Sequence, residues 1–247
     1  MPTTNRPRGG GRNRLSDMAA RYVREAIIAG RLREGEHLRP EQLADELGIS
    51  VTPAREALLA VEGEGFVEMV PRRGFVVAPL EPADVMDVFI SQALICGELA
   101  ARAALRLDQA QLAELELLQE EIVAAVAAGD TDTVRSANHR FHRTINVAAG
   151  ARKMLWLLTI TLRYTPASTY SETAGWLSAA CTDHGPVLEA LRRRDADAAR
   201  SSMADHMRHL GELLAEHVAT GGPASAARTP IGNAPGAETG GRPDRTS

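Results

Sequence analysis

Four polar side chains stand where helical periodicity calls for buried apolar ones, and they are of metal-ligating type. Leu177, Ala180, Cys181, His184, Val187, Leu188 and Leu191 recur at helical spacing and place His184 near the centre of an inward face. Ala199, Met203, His206, Leu210 and Leu213 do the same for His206. Val134, Phe141 and Ile145 define a third buried face, with Asn138 and His142 one turn apart on its shoulder and His139 turned away. Imidazole nitrogens and an amide oxygen converging in a helical bundle suit a divalent transition metal such as Zn, Ni or Mn. With three histidines and one oxygen as ligands, an octahedral ion would keep positions open for water or an added carboxylate. The competing expectation is that each histidine hydrogen-bonds within the core. For a lone histidine that would prevail; three at inward positions favour the metal.

A second constellation is basic and faces outward. Residues 43–58, L-A-D-E-L-G-I-S-V-T-P-A-R-E-A-L, read as two short helices over a tight turn. Gly48 stands where a left-handed residue closes the first helix; Ser50 or Thr52 can cap the second, with Pro53 in its first turn. Ala54, Ala57, Leu58 and Val61 form its inner face, which leaves Val51, Thr52 and Arg55 outside. A helix-turn-helix presents the N-terminal residues of its second helix to the major groove of double-stranded DNA. Arg55 can bond guanine at two points, and Ser50 or Thr52 can hold a phosphate or a base edge. Taken alone, the stretch could also be a helical hairpin inside an all-α core.

The surrounding elements favour DNA. Met18, Ala19, Tyr22, Val23, Ala26 and Ile27 form a helical stripe ahead of the motif. After it the period changes: F-V-E-M-V (66–70) and F-V-V (75–77) flank P-R-R-G (71–74), a two-stranded hairpin with arginines at its tip. This order makes a winged helix with Arg72, Arg73 and Gly74 in the wing. Wing arginines suit phosphates or a narrow minor groove, and glycine lets the backbone come close.

Residues 1–14 carry Arg6, Arg8, Arg12 and Arg14 and no acid, and are expected to be a disordered basic arm. The winged helix spans 15–79 and a linker 80–83. An all-α region over 84–219 is expected to hold six helices, near 83–106, 108–128, 131–149, 152–165, 174–193 and 195–218. Residues 220–247 read as a disordered tail. The fold class is therefore mainly α: a winged helix-turn-helix followed by a six-helix bundle. Across 247 residues, 44% hydrophobic and 24% charged content fits a soluble globular protein, and no apolar run could span a bilayer. A cytoplasmic location with no membrane partner is expected. A net charge of −4 argues against indiscriminate coating of nucleic acid. Cys96 and Cys181 are expected in the core rather than in a disulfide.

With G-x-L-R-x-G-x-x-L at 30–38, L-A-x-x-L-G-I-S-x-T-P-x-R-E-A-L at 43–58 and P-R-R-G-F-V-V at 71–77, the front of the chain resembles the GntR family of bacterial transcription regulators. Val51 stands where that family usually has arginine, which moves weight onto Arg55 and implies an altered operator preference. N-x-x-F-H at 138–142, D-H at 183–184 and the run ending at His206 resemble the FadR-like subgroup with its FCD effector domain. That resemblance implies a metal held by Asn138, His142, His184 and His206, with asparagine in place of the more usual aspartate. It also implies a homodimer, an operator, a small organic acid effector and repression released by that effector, with no enzymatic activity. The family often has R-x-x-L-E where this chain has A-L-I-C-G (93–97), which makes Arg163 on the fourth helix a candidate substitute for the effector-facing arginine, weighed against the commoner reading of an exposed surface arginine. The alternatives are a metal-dependent enzyme using the same histidines, and a pure metal sensor.

Overall fold

The computed structural model describes residues 10–165 and 173–220. The expected basic arm up to residue 9, and the expected tail beyond Thr220, lie outside the described residues. Helix α1 (Gly10–Ile28) begins ahead of Leu15, so the end of the expected arm is helical instead. It buries Ala19, Val23 and Ala26 and packs on the helix over Val51–Glu62.

Pro40 opens α2 (Pro40–Leu47) where no amide hydrogen need be donated. Gly48 closes it with φ 63°, and the Ile49 N–H returns to Ala44 O at 3.0 Å, which fixes the turn into α3 (Val51–Glu62). Ser50 is the N-cap residue of α3, yet its hydroxyl makes no capping bond. The sheet contains β1 (His37–Leu38), β2 (Val67–Val70) and β3 (Gly74–Val77), antiparallel in the order β1-β3-β2. The expected hairpin is thus a three-stranded sheet. The sequence does not announce β1 because two residues are too few to show alternation. Phe66, Val67, Phe75 and Val77 turn inward and complete the core of this half.

The helical half comprises α4 (Pro82–Ala104), α5 (Gln109–Ala128), α6 (Thr131–Ala148), α7 (Arg152–Thr161), a 3-10 turn η1 (Leu162–Tyr164), α8 (Trp176–Thr182), α9 (His184–Arg192) and α10 (Ala196–Ala219). The helix expected over 174–193 is two helices meeting at Asp183. Pro186 explains the break: it lacks the N–H that would bond back to Thr182, and its ring crowds that carbonyl. The long helices α4 and α10 lie against each other, brought close by two glycines. A methyl group at Gly211 would come within 2.6 Å of Phe89 Cβ, and one at Gly97 within 2.8 Å of Arg200 O. No helix of the described residues is long and apolar enough to cross a membrane. Cys96 is buried and Cys181 partly so, and both are free thiols.

Candidate functional site

The three helices α6, α9 and α10 each bring one imidazole to a common point. His142, His184 and His206 each offer a ring nitrogen within 4.8 Å of the others. His206 Nε2 lies 3.4 Å from His142 Nε2, and their rings stack at 5.2 Å. Two imidazole nitrogens sharing a tetrahedral ion at about 2.0–2.1 Å would stand about 3.4 Å apart. His184 and His206 are only 0% and 2% exposed, so neither can satisfy its polar atoms from bulk water. His184 also stacks on Phe141, with ring centroids 4.1 Å apart.

Hydrogen bonds from outside the cluster set which nitrogen faces in. Gln119 on α5 donates its amide N–H to Cys181 O at 2.8 Å, which turns its Oε1 toward His184 Nδ1, also at 2.8 Å. His184 Nδ1 therefore carries the proton, and Nε2 is left as a bare acceptor. That Nε2 is buried without a hydrogen-bond partner. Asp183 Oδ2 accepts from His206 Nδ1 at 3.2 Å and from His209 Nδ1 at 2.7 Å, so the His206 lone pair also points into the cluster. Burial alone would raise the Asp183 carboxyl, but bonds from His206, His209 and Thr182 outweigh it and hold it down to about 2. Burial pushes His142 down to about 3, helped by His206 and His139, and His184 falls well below its usual value for the same reason, aided by His142 and His206.

Asn138 lies one turn before His142 on α6, half-buried, and its Oδ1 is buried without a partner. A buried amide oxygen and a buried imidazole nitrogen, both unsatisfied, are costly unless something binds them. A divalent cation fits such a donor set, and Asp183 behind His206 supplies part of the negative charge that Asn138 does not. Sequence reasoning singled out Asn138, His142, His184 and His206 but missed Gln119 and His209 and gave Asp183 no role. Asp183 was findable, as the acid next to His184. Gln119 was not, because it meets His184 across a separation of 65 residues.

Asn138 and His142 line a cavity of about 480 Å³ between α4, α6, α7, α8 and α10. Arg163 does not line it. The chain tightens into η1 after Thr161, and Arg163 turns to Glu64 of the winged helix, with Nη1 2.9 Å from Oε1. The arginines in the cavity wall are Arg135 and Arg143, both on α6.

Glu64 is the hub between the two halves. It pairs with Arg24 at 2.8 Å as well as with Arg163, its carbonyl accepts from Tyr164 Oη at 2.7 Å, and the Tyr164 ring stacks on Phe66 at 4.9 Å. Gln92 on α4, 2% exposed, donates to Thr161 O at 3.1 Å and Thr165 Oγ1 at 3.3 Å. It thereby ties the end of α7 to the cavity wall.

On the opposite side of the front domain Ser50, Val51, Thr52 and Arg55 are exposed together at the start of α3. Arg55 is 61% exposed, and its one ion pair, to Glu41 at 4.0 Å, is too solvated to restrain it. Arg72 and Arg73 are exposed at the hairpin tip, Arg72 with φ 65°. Gly74 has a structural reason to be glycine. Its φ is 90°, and a Cβ there would sit 2.8 Å from Leu38 O of β1. Packing within the sheet is thus sufficient reason for glycine here, whatever its part in the expected approach to DNA.

Comparison with known proteins places both halves. Residues 15–77 match the model for bacterial regulatory proteins of the gntR family, and residues 87–209 match the FCD domain. A helix-turn-helix-type transcriptional regulator of Agrobacterium vitis, from the TAR-I ttuE-ttuC' intergenic region, is 30% identical over 131 residues, covering 51% of this chain and 76% of its own. The transcriptional repressor RspR of Escherichia coli (strain K12) is 24% identical over 198 residues, covering 78% and 86%. The solved structure of E. coli McbR/YncC superposes with a TM-score of 0.62 at 22% identity, over 83% of this chain and 98% of that one, and so shares its fold.

The depressed histidines set a pH dependence. His142 and His184 stay neutral in the fold, whereas in the unfolded chain they take up protons below about pH 6.5. Stability is therefore full above that pH and falls as pH drops toward their folded values, each contributing a slope of up to about 1.4 kcal/mol per pH unit. Urea unfolding of chelator-treated protein should show a lower midpoint at pH 5.5 than at 7.5, with His142→Gln reducing the difference. A midpoint that does not move would contradict neutral, buried imidazoles.

Proposed function

The chain belongs to the GntR family of bacterial regulatory proteins, with an FCD domain behind the winged helix, and on that premise we propose that it is a homodimeric repressor controlled by a metal-bound carboxylate. DNA-binding transcriptional regulation is the activity of this family, and its named relatives are regulators rather than enzymes. Repression draws support from RspR, which is named a repressor.

The observation that carries the metal reading is the convergence of His142, His184 and His206, with the lone pairs of two rings turned inward by Gln119 and Asp183. Those three residues and Asn138 would hold Zn, Ni or Mn. When bound, the ion supplies a positive centre that attracts an anionic oxygen. The residues around it exclude water, and burial keeps the His142 and His184 rings neutral.

The same cavity touches the element that holds the front domain. Thr165 lines it, and the preceding Arg163 and Tyr164 grip Glu64 and Phe66. Thr165 and Phe89 also line a second cavity of about 520 Å³ between the two halves, which leaves room for η1 to shift. An effector that fits one position of α7 and η1 better than another biases the placement of the winged helix, and only such unequal affinity can move it. In a dimer, that placement sets the spacing of two recognition helices against two half-sites. Arg55 and Thr52 read bases, Ser50 holds a phosphate or base edge, and Arg72 and Arg73 fix register on the backbone.

On an operator selected from a random-sequence pool, Arg55→Ala should cost roughly 1–3 kcal/mol while sparing weak binding to unrelated duplex. Equal losses on both would rule out base reading. After dialysis against a competing chelator, elemental analysis should find clearly less metal in His206→Ala than in the parent, since losing a ligand should weaken affinity by at least the roughly tenfold that loss of an outer-shell partner costs. Unchanged metal content would remove the site.

A further inference from the structure

The cavity beside the imidazoles is polar mainly on one wall among the described residues. Among the described residues no aspartate or glutamate lines it. Its polar groups without a side-chain partner among the described residues, Asn138, His139, Arg143 and Asn146, all belong to α6, and the Asn138 Oδ1 is buried. Arg135, the other cation in the wall, is paired with Asp132 at 2.7 Å. Arg143 is exposed, so it stands at the mouth, and it has no ion pair or hydrogen bond among the described residues. The facing wall is made by Phe89, Leu155, Leu158, Trp176, Met207 and Leu210. The donors of its polar side chains are committed elsewhere: Gln92 Nε2 bonds to Thr161 O and Thr165 Oγ1, and the Thr159 hydroxyl donates to Trp156 O at 2.7 Å.

A ligand that fills this space must carry its charge at one end. A polyhydroxylated acid would bury hydroxyls against α4, α7 and α10 with few acceptors beside them, at a cost that an apolar body avoids. From this one-sided lining we infer that the effector is a carboxylate with an apolar body, aryl or aliphatic, and that Arg143 is the cation that selects it. The inference rests on the carboxylate reading above and adds the residue and the ligand class. Arg143 follows His142 directly, so one helix presents the imidazole, the amides and the guanidinium to the acid end. The fork of the guanidinium matches two carboxylate oxygens. The ring or chain then lies on Leu155, Leu158 and Trp176. Pressed against α7, it acts on the segment whose next turn holds Glu64.

Calorimetry on the full chain as purified tests this with benzoate, hexanoate, glucuronate and the neutral benzamide. Benzoate or hexanoate should bind at least about tenfold more tightly than glucuronate and benzamide. Arg143→Gln should lose about tenfold or more for the favoured acid, the scale of a charged hydrogen bond, with unchanged metal content, and Arg143→Lys should recover part of it. Glucuronate binding best while benzamide stays silent would overturn the apolar body and leave the carboxylate reading standing. Benzamide binding as well as benzoate would sink the carboxylate reading itself. An Arg143→Gln affinity equal to the parent's would remove this residue's role. No heat from benzoate or hexanoate would overturn the inference too, and metal content in the same sample would show whether the metal reading falls with it.

Discussion

Gln119 and Asp183 bond to the outer nitrogens of His184 and His206 at 2.8 and 3.2 Å, and those two hydrogen bonds decide what the imidazole cluster can do. An imidazole buried without them could place its proton on either nitrogen and turn a donor toward its neighbours. With them, the inward atoms are acceptors. His206 Nε2 lies 3.4 Å from His142 Nε2, and the His184 Nε2 acceptor is buried beside them without a partner, an arrangement that a cation would satisfy. The partly buried carboxylate of Asp183 adds charge from behind, which lessens the consequence of having Asn138 where a carboxylate is more usual.

From that cluster outward, every further contact lies on a continuous path of covalent chain and hydrogen bonds. His142 and Arg143 are consecutive residues of α6 in the cavity wall; α7 closes the opposite side and runs through η1 to Glu64. Glu64 is 11% exposed and held by arginines from both halves, so it is a firmer joint than a surface ion pair. The Phe66 and Tyr164 rings add apolar contact at the same place. The regulation proposed above then needs no large rearrangement inside the bundle, only a shift of one short segment relative to α4. Gln92 is the side chain that resists such a shift, through its bonds to Thr161 and Thr165.

The sequence was most informative where chemistry and periodicity disagreed. Histidines at 184 and 206 inside apolar stripes could only point inward, and the structure brings them within reach of His142. The winged helix was legible because Gly48, Pro40 and the switch from helical to alternating pattern each have one local cause. What escaped depends on packing between distant segments. Gln119 meets His184 only because α5 lies beside α8 and α9. Arg163 was a candidate for the effector, but the 3-10 turn rotates it to the front domain, and helical spacing cannot foresee a change of helix type. The packing of Gly74 against β1 also escaped, because β1 is too short to be seen in advance. The Asp183 break was available from Gly185-Pro186.

The account stands on a metal ion bound by imidazole rather than on histidines packed as ordinary core residues. X-ray absorption at the metal edge of the purified full-length protein measures this directly. The expected spectrum is a first shell of nitrogen and oxygen only, at roughly 2.0–2.1 Å, with the outer-shell scattering of about three imidazole rings. Absence of a stoichiometric metal, or a sulfur shell at about 2.3 Å drawn from Cys96 or Cys181, would contradict it.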